Sequence, residues 1–305
     1  MIFKNLQIYR LRPDWHIGVP ASKADLTAWL EQGQFTRCPP DQPASCGWTP
    51  PREHGDLVHE VGGHRLLAFA TEQRLLPAET INRTVRELAD RAAADQGHIL
   101  GRKGLRELRE RVTADLLPQA FTRIRRTHVW LDRKGGWLGI DASTRAGADP
   151  ALAHYCRCVG GKPVTLLRPA SAPSAMMAAW LAKGEGGPGF TIDRDCELRA
   201  ADEKQAVRYT NQPLTDAAIA DEIRAHLATG QMPARLSLTW NDRVSFTLTD
   251  SLEIRRLFFI YLSEEMSGFS GSTVEEKLDF DFSLMAHELA QFLPALLRAL
   301  GGEAA

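Results

Sequence analysis

The strongest constraint on the fold lies between two prolines, Pro77 and Pro118. Between them apolar residues recur at helical spacing twice, first as Ile81, Val85, Leu88 and Ala92, then as Leu105, Leu108, Val112 and Leu116, with Gly97, Gly101 and Gly104 interrupting. Pro77 suits the first turn of a helix, and Pro118 cannot continue one because it lacks the donor N–H. The pattern predicts two amphipathic helices joined by a glycine-containing turn, a hairpin able to protrude from a sheet domain. Directly after Pro118 the period changes. Phe121 to Asp132 alternates as a strand, which sets Arg123 and Arg125 on one face and Ile124, Arg126 and Trp130 on the other.

The same region concentrates charge. Arg102 to Arg126 holds eight cationic side chains (Arg102, Lys103, Arg106, Arg109, Arg111, Arg123, Arg125, Arg126) against three acidic ones (Glu107, Glu110, Asp115), a local excess of five in a chain whose net charge is -1. The rest of the chain therefore carries a deficit of six. At about 100° per residue, Arg102, Arg106 and Arg109 fall within about 60° of one another, flanking the apolar stripe, with Glu107 and Glu110 elsewhere on the helix. A three-arginine helical stripe followed by a strand with paired arginines suits a polyanion. No aromatics interleave for base stacking, so the pattern favours phosphate contact over base reading and hence sequence-independent duplex binding. The competing expectation is a solvated helix face whose arginine stems lie along the core edge.

The flanking chain reads as mixed α and β. Strands are expected at Phe3 to Arg12, His64 to Thr71, Trp137 to Asp141, Pro163 to Leu167, Phe190 to Arg194, Ala206 to Tyr209, Arg235 to Thr239, Val244 to Thr249 and Ile254 to Leu262. Helices are expected after Ser22, around Pro150 to Cys158, at Ala175 to Ala182, at Asp216 to Thr229 and at Asp281 to Leu300. Residues 38 to 55, rich in proline and glycine, read as loop, and 168 to 175 as linker. The expected organisation is α+β: a central unit from 1–76 and 118–170, an inserted helical tip at 77–117, and a base unit at 171–305 with a C-terminal helix.

Several chemistries are weakened by spacing. No run approaches the roughly 18 apolar residues of a membrane span, and Lys4 and Arg10 come too early for a secretion signal core, so a cytoplasmic protein is expected. Five cysteines in 305 residues make no disulfide framework. His59-Glu-Val-Gly-Gly-His64 sets its histidines five apart around two glycines, whereas a zinc protease helix needs them four apart, so a glycine-bearing turn into a strand is expected. His154, Cys156 and Cys158 lack the spacing of a structural zinc knuckle. Gly184 to Gly189 has no following Lys-Ser/Thr, so it is no phosphate-binding P-loop. Asp279 and Asp281 read as helix-start charges, with a metal-dependent nuclease using them as the enzymatic alternative. No catalytic residue, metal or cofactor is expected.

Five separated motifs carry a resemblance. Phe3-Lys-Asn-Leu6 with Tyr9-Arg-Leu11, Gly47-Trp-Thr-Pro-Pro51, Leu116-Leu-Pro-Gln-Ala-Phe121, Asp281-Phe-Ser-Leu-Met285 with Glu288-Leu289, and Ala299-Leu-Gly-Gly-Glu-Ala304 resemble, in order and from end to end, the RdgC family of recombination-associated proteins. The resemblance implies a nucleoid-associated, ring-shaped homodimer with a cationic hole that binds double-stranded DNA with little sequence preference and negatively modulates the RecA recombinase. It further implies that the hairpin is the tip, with Phe121 at the tip-to-tip contact. The base-to-base contact would match the segment Arg208 to Gln212, including Arg208, Asn211 and Gln212, with Asn211 at a position that is basic in some relatives. Proposed DNA contacts are Arg102, Lys103, Arg106, Arg109, Arg123, Arg125 and Arg126. A third class of function, a module whose arginines dock an acidic protein partner, fits the same charge pattern.

Overall fold

A computed structural model describes residues 2–12, 20, 22–96, 100–200, 205–260 and 273–304. The chain divides into two compact units. The first comprises Met1–Leu30, Pro50–Leu67 and Thr127–Ala305, and the second Glu31–Thr49 and Ala68–Arg126.

The first unit opens with β1 (Gln7–Leu11) and α1 (Lys23–Glu31), whose first turn is capped where Ser22 Oγ accepts from the Ala24 N–H at 3.0 Å. β3 (His59–Val61) turns through Gly62 and Gly63, at φ +60° and +85°, into the start of β4 (His64–Arg74), so the expected glycine turn into a strand is what the histidine motif forms. The later half of β5 (Thr122–Asp132) pairs with β6 (Trp137–Ile140), β6 with β1, and β1 with β7 (Val164–Leu166), all antiparallel. Between β6 and β7 lies α4 (Arg145–Cys158), which starts five residues ahead of the expected Pro150 because Thr144 caps it, accepting from the Gly147 N–H.

A second antiparallel sheet, of order β12-β11-β10-β8-β9, follows in the same unit. It is built from β8 (Phe190–Arg199), β9 (Ala206–Tyr209), β10 (Met232–Trp240), β11 (Val244–Thr249) and β12 (Ile254–Phe259), with α5 (Pro173–Lys183) preceding it and α6 (Ala217–Ala228) between β9 and β10. The last helix, α7 (Val274–Ala299), buries Phe282, Met285, Leu289, Phe292 and Leu296 in the unit's core, where Phe292 meets Phe246 edge-on at 4.9 Å. The helix begins seven residues ahead of the expected Asp281. Thr273 and Glu276 form a reciprocal capping box, so Asp281 lies mid-helix and buried and is no helix-start charge. The expected strand from Ile254 ends at Phe259; residues 261 and 262 lie outside the described residues.

The second unit contains β2 (Ala44–Thr49), the far half of β4, the helical pair α2 (Ala78–Gln96) and α3 (Arg102–Leu116), a short 3-10 turn (Leu117–Gln119) and the first half of β5. The hairpin is as the two apolar stripes predict, but Gly104 lies within α3 and Gly101 supplies its N-cap position; Gly97 lies outside the described residues. β2 corrects the loop expected over 38–55. Trp48 pairs with Phe69 of β4 and packs on its ring at 5.4 Å, and the Phe35 N–H donates to the Trp48 carbonyl at 2.8 Å. Local proline and glycine content hid a strand that tertiary partners hold.

Gly47 has a packing reason. A Cβ there would sit 2.6 Å from the Cα and N of Phe35, backbone atoms that cannot swing aside. Gly47→Ala should therefore destabilise the fold by about 1–3 kcal/mol, as overpacking does. Thermal or urea unfolding that leaves the variant at the parental midpoint would contradict this contact.

Candidate nucleic-acid interface

The cationic run lies wholly in the second unit. Thirteen Lys and Arg against ten Asp and Glu give that unit a formal charge of +3, which leaves -4 on the first unit within a total of -1. On α3 the side chains of Arg102, Lys103, Arg106 and Arg109 are all exposed, but the helix offsets part of their charge. Arg106 reaches Glu110 at 3.3 Å and Lys103 reaches Glu107 at 3.9 Å, so the expectation that these glutamates lie elsewhere fails: residues four apart are neighbours on a helix surface. Arg109 donates to the Asn82 side chain across the hairpin. Each of these exposed pairs is worth little energetically, and a stronger anion can displace it.

The strand arginines are different. Phe121 to Arg126 is exposed at every position, so neither face of this half of β5 is buried; burial begins only toward Val129. Ile124, which alternation assigns to a face opposite Arg123 and Arg125, is 40% exposed. Among the described residues, no carboxylate forms a salt bridge with Arg123, Arg125 or Arg126. Three guanidiniums thus stand on a regular backbone with their donors free.

What holds that backbone is a pair of β4 side chains that sequence patterning missed. Glu72 and Arg74 share one face of the strand, two residues apart. Arg74 Nη1 donates to the carbonyls of Leu117, Pro118 and Ala120, and its Nη2 to those of Cys38 and Pro39, all at 3.2–3.3 Å. Glu72 accepts from the Cys38 N–H at 2.8 Å and from Arg37 at 3.2 Å, and also from the Thr122 hydroxyl. The Cys38 hydrogen bond, followed by those from Thr122 and Arg37, holds the Glu72 carboxyl below its ordinary range against the opposing effect of burial. The Leu75 N–H then donates to the Phe121 carbonyl at 2.7 Å. Phe121 is consequently fixed in backbone while its ring is 85% exposed. A sequence signal existed: opposite charges on one face of an otherwise apolar strand.

The residues expected at a base contact lie in the first unit. Arg208 on β9 donates to Glu197 at 3.1 Å. Asn211, at φ +53°, donates its N–H to Asp195 at 2.8 Å, and the Gln212 N–H donates to the Arg194 carbonyl at 2.9 Å. All three side chains are exposed.

Comparison with known proteins is decisive for kinship. A family model described as "Putative exonuclease, RdgC" matches residues 1–303. Proteins named Recombination-associated protein RdgC are 49% identical in Dechloromonas aromatica (99% of this chain, 98% of that protein) and 40% identical in Cupriavidus pinatubonensis and in a Janthinobacterium species (99% of each chain in both cases). The chain belongs to the RdgC family.

The exonuclease wording of the RdgC model directs attention to the acidic candidates. Asp279 and Asp281 are two apart on α7 and so point to different sides of it. Asp279 is ion-paired with Arg52 and lies 2.9 Å from His59 Nε2, while Asp281 is buried. Among the described residues, no three His, Cys, Asp or Glu side chains gather closely enough to hold a metal ion. His154, Cys156 and Cys158 share α4, and burial pushes the Cys156 thiol up. In this RdgC chain the His59 and His64 pair serves packing instead. Burial, then Arg52, lowers the His59 pKa, with Asp279 opposing; burial lowers that of His64, with Asp132 opposing.

Both rings are thus held neutral in the fold. A depressed pKa means that the folded state binds fewer protons than the unfolded one, so the associated stability is present above the ordinary histidine range of about 6.5 and is lost as pH falls through the folded values. The urea midpoint should drop between pH 7 and pH 5, and the drop should be smaller in a His59→Gln/His64→Gln variant. An equal drop in both proteins would assign the acid sensitivity to other groups.

Proposed function

We propose that this RdgC-family protein binds double-stranded DNA without reading its sequence, as a ring-shaped homodimer in the cytoplasm and nucleoid, and that by occupying DNA it negatively modulates RecA-dependent recombination. The observation that carries the binding is the exposed run Phe121 to Arg126, whose arginines have no acidic partner among the described residues and lie in the unit with surplus positive charge. Cations fixed on a strand suit evenly spaced phosphates, and displacing the condensed counterions supplies an affinity that depends on charge and not on base identity. Arg102, Lys103, Arg106 and Arg109 extend the surface along α3, with Lys103 and Arg106 exchanging Glu107 and Glu110 for phosphates.

The homodimer reading is supported by Phe121. A phenyl ring 85% exposed at the foot of the hairpin, on backbone held by Leu75, is an anchor without a pocket in its own chain. A two-fold contact through Phe121 repeats the cationic run in the second copy, so that two surfaces face one duplex. Arg208, Asn211 and Gln212 form the second contact in this reading, closing the ring around DNA.

Two unrelated duplexes should bind with equal affinity that falls steeply with salt, measured by fluorescence anisotropy. Arg123→Glu/Arg125→Glu should weaken both alike and flatten the salt slope by about 0.9 for each phosphate that is no longer neutralised. Unchanged binding by the folded variant would remove the strand from the interface. Supercoiled plasmid and linear duplex incubated with the protein and magnesium or manganese should both stay intact; nicking of the one or shortening of the other would favour a nuclease.

Phe121→Ala should leave the fold unchanged, loosen the assembly and speed the escape of circular DNA, read by light scattering and by dissociation kinetics. Unaltered mass and escape rate would place the dimer contact elsewhere.

A further inference from the structure

The face of the second sheet that points away from the core carries a pocket of about 460 Å³ that the duplex-binding reading does not employ. Strand alternation builds it. On β10, Leu236, Leu238 and Trp240 enter the core, which turns Arg235, Ser237 and Thr239 to the other face. Cross-strand register then aligns two rows: Arg208 opposite Glu197 opposite Arg235, and Ser237 opposite Thr247 opposite Arg255.

The first row is unbalanced in charge. Glu197, 5% exposed, takes Arg199 at 2.7 Å, Arg208 at 3.1 Å and Arg235 at 3.6 Å. Burial acts to raise the Glu197 pKa, but Arg199, Arg235 and Arg208 outweigh it, so the group stays ionised and answers only one of three cations. The other arginines here are each matched by one carboxylate, Arg255 by Glu253 at 2.6 Å and Arg256 by Asp195 at 3.2 Å. The surplus is therefore about two positive charges.

Geometry keeps that surplus available. Arg208 and Arg235 spend part of their guanidinium forks on Glu197, and their side chains remain 68% and 41% exposed. Ser237 and Thr247 share one hydrogen bond at 2.9 Å, which leaves one hydroxyl proton to donate outward. Arg256, at φ +52° beside a register shift in β12, holds an unfavourable backbone conformation as it closes the rim onto Asp195.

We propose that this pocket binds a phosphate oxyanion, with Arg208 and Arg235 as charged donors and the Ser237–Thr247 pair as the neutral donor. A phosphate monoester is a dianion at neutral pH and matches the surplus, and guanidinium forks fit its paired oxygens. The phosphate arrives either on a free small molecule, such as a 5′-nucleotide, or as a diester of the DNA backbone, which carries one negative charge and answers half of the surplus. The pocket does not use the arginines of β5, so its failure would leave that duplex surface intact, but it shares Arg208 with the second dimer contact proposed above.

Calorimetric titration of the full chain with inorganic phosphate, and separately with a 5′-deoxynucleoside monophosphate, should show saturable binding. Arg208→Gln/Arg235→Gln should weaken it by about tenfold or more, since each guanidinium removed is a charge-assisted donor. Both residues also hold Glu197, so Ser237→Glu supplies an independent variant: it leaves those ion pairs in place, puts a carboxylate in the cavity and should abolish binding with an unchanged urea midpoint. Arg208 also stands in the second dimer contact proposed above, so duplex affinity is compared in Ser237→Glu: if it equals that of the parent, the phosphate is that of a free ligand; if it falls at unchanged dimer mass, it is a backbone phosphate. No saturation up to about 10 mM phosphate, or wild-type binding in the folded variants, would overturn the proposal.

Discussion

Arg74 is the constraint on which the candidate interface depends. Its guanidinium reaches five backbone carbonyls, three at the exit of the hairpin and two in the segment at Cys38 and Pro39. Pro118 and Pro39 have no N–H to donate; the turns hold the bonds from Ala120 N–H to the Leu117 carbonyl and from Gln42 N–H to that of Pro39, and Arg74 ties the two segments to each other. The two terminal nitrogens of one planar fork reach both segments, while the buried Nε–H has no partner among the described residues; a lysine's point charge cannot match that span. The chain leaves this clasp and goes directly into Phe121 and the arginines of β5, so the direction of the whole cationic run is fixed within a few residues of Arg74. Glu72 acts from the same strand face on the other side of the junction, taking the Cys38 N–H and the Thr122 hydroxyl.

Cations in this protein therefore do two kinds of work. Arg52, Arg65, Arg74 and Arg243 are spent inside, on Asp279, Glu60, main-chain carbonyls and Glu288 respectively, and they contribute structure and little external field. Arg123, Arg125 and Arg126 form no salt bridge among the described residues. Their side chains are exposed, so binding an anion costs them no ion pair found among the described residues. A net charge of -1 conceals this division, because charge averaged over the chain counts a clasped guanidinium and a free one alike.

The helical hairpin and the strand after it were legible because their periodicities are strong and proline marks both limits. Long helices and alternating strands that bury one face announce themselves in the same way, as β10 and β11 do. Three features stayed hidden for identifiable reasons. β2 is short and sits among prolines and glycines; its partners are Phe69, 21 residues beyond Trp48, and the backbone of Phe35. α7 opens with a polar turn and an exposed Val274, so the apolar stripe begins a turn and a half after the helix does. Arg74 shares an apolar strand face with Glu72, which marks the pair as unusual, but its partners stay hidden because they are carbonyls, and every residue has one. For the site, the arginines could be read from composition, but which of them are free could not: the difference between Arg106, with Glu110 beside it, and Arg123 is one of geometry.

Alternation that buries neither face, as in Thr122 to Arg126, is costly for an isolated strand, because no packing energy offsets the entropy of holding it extended. Here the remainder of the same strand meets that cost, since Val129, Trp130 and Leu131 are buried and paired with β6. A strand anchored at one end by a core and at the other by the Arg74 clasp can present three guanidiniums at fixed spacing without a core beneath them. Rigid spacing matters more to a sequence-independent binder than the strength of any one contact. Phosphates repeat regularly along a duplex, so cations already set on a regular backbone lose little further freedom on meeting them, and weak contacts can then add. In the proposed dimer the same logic suits the exposed Phe121 at the foot of the strand: an anchor for a second subunit works best where the backbone has already been immobilised for another reason.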